Sequence, residues 1–378
     1  MSGLLVLALL LTSMAVPLVR RLAPLVGLVD DPGAGAYKTH SLPTPYGGGL
    51  AIWVGVVMPL GAMVVWLAES RPRLFHDGAL SPWAPYLFFP LEAWSPTVVQ
   101  VSQVLVVVAA ASVLGLLGLA DDRRALPAGL RLGVQLLLAG LLVGTVPGFR
   151  LSLVGGPEIV GIGVSVLWLV ALTNAFNFLD NMNGLSAGLA AITMGTSGTI
   201  ALVTIHLPAA VLCLVVVGAC VGFLRFNFPG ASIFMGDAGG LFLGFLGGAL
   251  SILLAERLTT ISGVFPYQFL PLAVFGVPLY DLVTVVGLRL RRGLAPWAGD
   301  TNHVSHRLVA AGLDRTQAVL VLYGLTALVA IPCVAATSAA PGAAAWLLAS
   351  ALTVVGLFGV VDMILARRRP VPQTPRDK

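Results

Sequence analysis

Apolar runs about as long as a bilayer-crossing helix alternate with short polar stretches along almost the whole chain. A hydrocarbon core about 30 Å thick needs about 20 mostly apolar residues per helix, within a range of about 17–25. Eleven segments fit that template, roughly 2–19, 47–68, 98–120, 130–146, 159–179, 185–206, 208–224, 238–255, 264–288, 317–337 and 342–366. The first has neither a basic leading region nor a clear small-residue cleavage site. Arg20 and Arg21 follow it directly, so it reads as a retained span and not as a signal peptide. The predicted fold class is all-α: one polytopic membrane domain over 1–366, followed by a basic, disordered tail over 367–378.

Composition excludes the alternatives. Of 378 residues, 58% are hydrophobic and 10% charged, and the mean hydropathy is +0.97. Soluble domains carry about 25% charged residues, so this much apolar surface could not be hidden from water. Cys213, Cys220 and Cys333 lie within apolar runs and offer neither a disulfide framework nor zinc spacing. The net charge of +5 is not gathered into a basic patch interleaved with aromatics, so nucleic acid is not an expected partner.

Charge placement orients the spans. With the N-terminus outside and the C-terminus cytoplasmic, 17 of the 21 Lys and Arg residues fall at the inner face; Arg71, Arg73, Arg150 and Arg257 fall outside. All four Glu (Glu69, Glu92, Glu158, Glu256) fall outside, in or near loops that include the Pro- and Trp-rich segment 69–97. Asp30, Asp31, Asp121, Asp122, Asp180, Asp237, Asp281, Asp300 and Asp314 fall inside. Acidic residues do not set orientation, so this cluster needs another cause. It points to a divalent cation and phosphate site open to the cytoplasm.

Five inner segments carry the polar chemistry. Asp121 and Asp122 end the third span, where the helix dipole favours cations, so a positive partner is expected: Arg123 and Arg124, or a metal. Asn174, Asn177 and Asp180 recur every third residue along one ridge of a helix, at the end of an apolar run where an ionisable group is costly. Asp237 reads alone as an N-cap of the eighth span. Beside a helix N-terminus whose N–H groups bind phosphate, it could also hold Mg²⁺ against that phosphate. His303 and His306 share a helical face without a third nitrogen or thiolate for zinc. With Arg307 they read as a phosphate grip. Lys38 and His40 precede Gly47-Gly48-Gly49 at the start of the second span.

In combination these residues resemble the polyprenyl-phosphate N-acetylhexosamine-1-phosphate transferases, the WecA/TagO branch to which MraY is related. The resemblance runs from about Gly27 to Tyr323, through Lys38/His40, Asp121-Asp122, Asn174-x-x-Asn177-x-x-Asp180, Asn227, Phe234-Met-Gly-Asp237 and His303-x-x-His306-Arg307. It implies transfer of a HexNAc 1-phosphate, GlcNAc-1-phosphate first among them, from a UDP-sugar to undecaprenyl phosphate. UMP would be released, and the product would initiate a cell-envelope polysaccharide. The implied setting is a bacterial plasma membrane with the active site facing the cytoplasm. The implied cofactor is Mg²⁺, with Mn²⁺ as a substitute.

By the same resemblance, Asp237 is the main metal ligand and Asn177 a second metal-site member. Asn227 and Phe234 hold uridine, and Asp121 and Asp122 activate or position the lipid phosphate. Asp180 and His303 join them as catalytic candidates. Lys38, His40, Asn174, Asn183, His306 and Arg307 are substrate-binding candidates.

Two departures stand out. Where the family commonly has Asp-Gly-x-Asp-Gly, the chain has Asp180-Asn-Met-Asn183-Gly184, and an amide at 183 can both donate to and accept from a uracil edge. The His303-Val-Ser-His306 loop lacks the denser histidine cluster of some relatives. That leaves a phospho-MurNAc-pentapeptide or modified-HexNAc donor as the alternative within the family. A transporter would keep its charges near mid-membrane between repeats, which this chain does not show. Gly and Ser in the spans permit close packing, as in a homodimer, without requiring one.

Overall fold

The computed structural model describes residues 2–30, 43–70, 96–263 and 265–368. Among them the helices are α1 (Ser2–Leu22), α2 (Gly48–Ser70), α3 (Pro96–Arg123), α4 (Ala128–Thr145), α5 (Glu158–Phe178), α6 (Leu185–Val203) and α7 (Leu207–Asn227). They continue with α8 (Gly236–Ser262), α9 (Leu270–Val274), α10 (Gly276–Arg291), α11 (Val304–Ala310), α12 (Arg315–Ala336) and α13 (Pro341–Arg368). Ten of the described helices are long and apolar enough to cross a membrane. The eleventh crossing is broken: Tyr267–Val274 and Gly276–Arg291 meet at 70°. The apolar run over 264–288 predicts one straight span, but Pro266, Pro271 and Pro278 interrupt it and remove backbone donors a continuous helix needs.

The central element is α8, buried along its membrane-length window. It packs against α2, α3, α5 and α6. Its glycines make that enclosure possible. A Cβ on Gly240 would lie 2.7 Å from the Cα of Asn177, and one on Gly244 would lie 2.5 Å from the Leu172 carbonyl oxygen. Small residues let helix backbones meet where no water drives them together. Around this core, α1 packs on α7 and α2, and α12 packs on α13 and α6. The outer surfaces are apolar, with Leu10 and Met14 of α1, Leu137 and Leu141 of α4, and Leu357 and Val360 of α13 all exposed. Such a surface suits lipid.

Most of the external segment 69–97 and most of the tail lie outside the described residues, and α13 takes in the first two tail residues, ending at Arg368. Two short strands, β1 (Val29–Asp30) and β2 (Thr44–Pro45), pair antiparallel. The chain after β2 is tied to the start of α8. Phe234 N–H donates to the Pro45 carbonyl at 2.8 Å, Gly48 N–H to Phe234 at 2.9 Å and Gly49 N–H to Met235 at 2.8 Å. The ends of α3, α5, α7 and α10 and the starts of α2, α8 and α12 therefore meet at one end of the bundle.

Candidate active site

At that end lies a cavity of about 510 Å³. Asn177, Asp180, Asn183, Asn227, Phe234, Asp237, His303 and His306 line it, together with Asp30, Tyr46, Arg289, Trp297, Asp300 and Arg315. A second cavity, of about 520 Å³, is framed by Arg150, Ser152, Glu158 and Glu256 on the side that charge placement assigns to the exterior. It gathers none of the candidate residues.

The acidic cluster is built on the N-terminus of α8. Asp122 accepts from the backbone N–H of Asp237 at 2.8 Å and of Ala238 at 3.2 Å. Asp180 accepts from that of Gly236 at 2.9 Å. Two carboxylates thus satisfy N–H groups that every helix start leaves unpaired. The expectation that these groups bind substrate phosphate is corrected here, because Asp122 and Asp180 already hold the first three. Gly236 has φ +76°, and a Cβ there would lie 2.5 Å from the Asp122 carboxylate. Only glycine suits this turn. Asp121 accepts from Leu126 N–H at 2.5 Å and pairs with Arg131, which also donates to Asp237 at 3.0 Å. The positive partner expected for the Asp121-Asp122 pair is therefore Arg131, from the next helix, ten residues after Asp121.

Electrostatics follow from this crowding. Burial pushes the Asp180 carboxyl up to about 8; the Gly236 N–H pulls the other way, and nearby Asp237 adds to the rise. Tyr46 is driven up by burial and by Asp30 beside it. Asp237, half-buried, faces the cavity. Asn177 packs its amide near that carboxylate without reaching full hydrogen-bond geometry, leaving its Nδ2 buried and without a partner.

Among the described residues no three His, Cys, Asp or Glu stand ready to enclose a metal by themselves. One carboxylate beside an amide, with further acidic groups behind, is an all-oxygen partial set. Mg²⁺ favours such sites and completes its shell with water and substrate phosphates. An amide turned to present its oxygen would use the space where Nδ2 now lacks a partner. The residues fit the cation.

The histidine loop forms the opposite wall. His303 Nδ1 donates to the fully buried Asp281 at 2.7 Å, and Val304 N–H donates to the other Asp281 oxygen at 2.7 Å. Fixing Nδ1 leaves Nε2 as the ring nitrogen for the cavity. Burial, then His303 and Arg315, push His306 down to about 4, so it meets a ligand as a neutral ring. Positive charge comes instead from Arg289 and Arg315. The Arg289 guanidinium lies 4.9 Å over the Phe178 ring and donates to Asp300 at 3.1 Å. Burial alone would raise the Asp300 carboxyl; Arg289 and Asn302 hold it below the usual range.

Several candidates have other duties. Asn174 does not line the cavity; its amide donates to Gln135 at 2.6 Å and to the Val170 carbonyl at 2.8 Å, tying α5 to α4. Arg307 is buried and outside the cavity lining, with its donors spent on Asp362, Thr284 and the Asn302 carbonyl. It is not the phosphate grip expected from its place beside His306. Asn227 borders the cavity but is committed to the Gly184 N–H at 2.6 Å and the Ile233 carbonyl at 2.8 Å. Asn183, at the rim, donates to the Pro229 carbonyl at 3.2 Å. Lys38 and His40 lie outside the described residues.

The sequence reading missed Arg131, Arg289 and Trp297, and it counted Asp281 among the inner-face aspartates without its role as anchor of the histidine loop. A lone ionisable residue inside an apolar span was the available signal for Asp281. Arg131 and Arg289 were visible only as orienting charge.

The glycosyl transferase family 4 model matches residues 104–255, a stretch that holds Asp121 through Asp237. The chain is 31% identical to the probable undecaprenyl-phosphate N-acetylglucosaminyl 1-phosphate transferase of Bacillus subtilis, over 84% of this chain and 80% of that protein. It is 30% identical to the decaprenyl-phosphate N-acetylglucosaminephosphotransferase of Mycobacterium tuberculosis, over 94% and 87%. It is 25% identical to the undecaprenyl-phosphate alpha-N-acetylglucosaminyl 1-phosphate transferase of Escherichia coli, over 85% and 80%.

Proposed function

The chain belongs to glycosyl transferase family 4, with the polyprenyl-phosphate N-acetylglucosamine-1-phosphate transferases, and from that premise we propose that its cavity transfers GlcNAc 1-phosphate from UDP-GlcNAc to undecaprenyl phosphate. An oxygen of the lipid phosphate attacks the phosphorus that bears the sugar. The bond from that phosphorus to the bridging oxygen breaks, and UMP leaves with the bridging oxygen. The product is a lipid diphosphosugar that begins a cell-envelope polymer. With the inner face assigned by the basic residues, the cavity opens to the cytoplasm of a bacterial plasma membrane.

The observation that carries the reading is the placement of Asp237. It opens the buried axial helix, in the cavity, flanked by Asp121, Asp122, Asp180 and Asn177 and facing the Arg289, His303 and His306 wall. A phosphate acceptor is already ionised near neutral pH, so the protein's task is alignment and charge neutralisation. Asp237 and Asn177 would hold Mg²⁺, which neutralises phosphate charge when bound. Arg289 and Arg315 supply fixed positive charge to a crowded set of phosphates. His303, aligned by Asp281, and neutral His306 offer ring nitrogens to phosphate or sugar oxygens. Phe234, beside Tyr46 with ring centroids 6.0 Å apart, offers a flat apolar face for the uracil.

The test is turnover by the purified protein with UDP-GlcNAc, undecaprenyl phosphate and Mg²⁺, with the released nucleotide identified. UMP that requires both lipid and metal, and is lost in Asp237→Ala, supports the reading. Release of UDP would overturn it, since that product leaves when sugar is transferred without phosphate.

A further inference from the structure

Asp362 stands alone in an apolar stretch of the last helix (Gly359-Val-Val-Asp362-Met-Ile-Leu), where an ionisable side chain is costly unless it has a task. It is 2% exposed and fully engaged. Arg307 Nε donates to its two oxygens at 3.1 and 2.9 Å, Arg307 Nη2 donates at 2.7 Å, and the Tyr280 hydroxyl donates at 2.6 Å. Gly359 lets α13 come this close, since a Cβ there would lie 2.8 Å from the Tyr280 ring.

The remaining donors of Arg307 show what the pair holds. Nη1 donates to the carbonyl of Asn302, and Nη2 reaches the Thr284 hydroxyl at 3.2 Å. Arg307 therefore grips its own loop just before His303, while its backbone lies just after His306. The two cavity histidines are bracketed by one guanidinium, and that guanidinium is anchored on another helix. Asp281 fixes the same loop to α10 from its other side.

We propose that Asp362 is a positioning residue: through Arg307 and Tyr280 it fixes the place of His303 and His306 in the cavity. Without its carboxylate, Arg307 is a buried cation that has lost its ion-pair partner, because Asp281 acts on it only through space and is already engaged by His303 and Val304. It must leave its seat and take the Asn302 carbonyl with it. Stability alone is a weak reason to keep such a pair, because a buried ion pair can be exchanged for apolar residues of similar volume with little loss.

The inference rests on the transferase reading for its kinetic arm only. Asp362→Asn is expected to lose about 10²-fold in kcat/KM for UDP-GlcNAc, the scale set by an ångström of misplacement, with the KM for undecaprenyl phosphate unchanged. Since that variant leaves a charge buried, Arg307→Met with Asp362→Leu is the second arm. The apolar pair is expected to restore the melting temperature but not turnover, and the backbone amides of 302–308 should exchange hydrogen faster than in the wild type. Wild-type turnover in either the single or the apolar double variant would overturn the proposal. So would unchanged exchange over 302–308 in both. If the wild type itself released no UMP, the transferase reading would fail, and the exchange arm would still decide the role of Asp362.

Discussion

Asp122 receives the backbone N–H of Asp237 at 2.8 Å, across 115 positions of sequence. One acidic residue thus sets the orientation of the helix end that carries the other. This relationship separates two roles for Asp122. As a cap, it is partly replaceable by an amide, which keeps one acceptor oxygen; as a proton acceptor, it is not. Asp122→Ala is expected to cost about 1 kcal/mol of stability, as for other lost caps, and about 10²-fold in turnover through displacement of Asp237. Asp122→Asn is expected to fall between wild type and Ala in both melting temperature and rate of UMP release. Equal rates for the Asn and Ala variants would instead make Asp122 a base.

The helix crossings yield a prediction that needs no substrate. A Cβ on Gly49 would lie 2.1 Å from the backbone nitrogen of Gly239, with no side chain able to yield. Gly49→Ala should therefore force α2 and α8 apart at a cost of about 1–3 kcal/mol, as for other overpacked sites. Gly140 of α4 has nothing within 4 Å of its Cβ position. Gly140→Ala is expected to stabilise by up to about 1 kcal/mol through helix propensity. Thermal unfolding of the two variants in one detergent checks the contrast.

Most of the membrane architecture was legible because a bilayer demands long apolar runs, and all eleven expected segments coincide with described helices. The bend between α9 and α10 was not, since hydropathy records composition and ignores which backbone donors the prolines remove. In the site, Asn177 and Asp180 were readable as polar residues costly at the end of an apolar run, Asp237 as a carboxylate at a helix start, and His303 as one of two histidines spaced three apart. Their partners were not. Whether Asn174 faces the cavity or Gln135, and whether Arg307 meets a phosphate or Asp362, depends on helix rotation and on contacts 39 and 55 positions away. A local motif carries no such information. The two aspartates that hold the histidine loop, Asp281 and Asp362, were each a solitary charge in an apolar stretch, a signal as visible as the motifs.

Asp237 is the residue on which metal dependence should turn. Its carboxylate now shares Arg131 with Asp121, so a cation must compete with a guanidinium already in place. Chelation with EDTA is expected to abolish UMP release, and added Mg²⁺ to restore it. In Arg131→Ala the competitor is gone, and the Mg²⁺ concentration for half-maximal activity should fall. In Asp237→Asn it should rise by about tenfold or more, since even the groups that support a metal's ligands contribute about 10–100-fold to affinity. A titration of turnover against Mg²⁺ for the three proteins checks the order.

Asn183 stands at the cavity rim, where its amide reaches the Pro229 carbonyl at 3.2 Å. A single neutral hydrogen bond to the nucleotide contributes about 0.5–1.5 kcal/mol. Asn183→Ala is thus expected to raise the KM for UDP-GlcNAc severalfold while leaving kcat in place, the pattern of a contact made equally in ground and transition states. An unchanged KM would remove Asn183 from the nucleotide site.

His306 gives the pH dependence a definite sign. Burial, with His303 and Arg315 nearby, lowers its pKa to about 4 in the folded protein, against about 6.5 for a free histidine. Between those values the unfolded chain binds the proton more readily than the folded one. The stability that the neutral ring contributes is therefore complete above about pH 6.5 and is lost as pH falls toward 4. His306→Asn cannot take up that proton. Its melting temperature relative to wild type should rise on going from pH 7 to pH 4.5, by on the order of a few degrees. His206 is shifted the same way by burial at the other end of the bundle, but it is present in both proteins and cancels in the difference. A difference curve that stays flat over this range would mean that His306 is solvated enough to titrate like a free histidine. The cavity wall would then present a charge, not a neutral ring, to its ligand at mildly acidic pH.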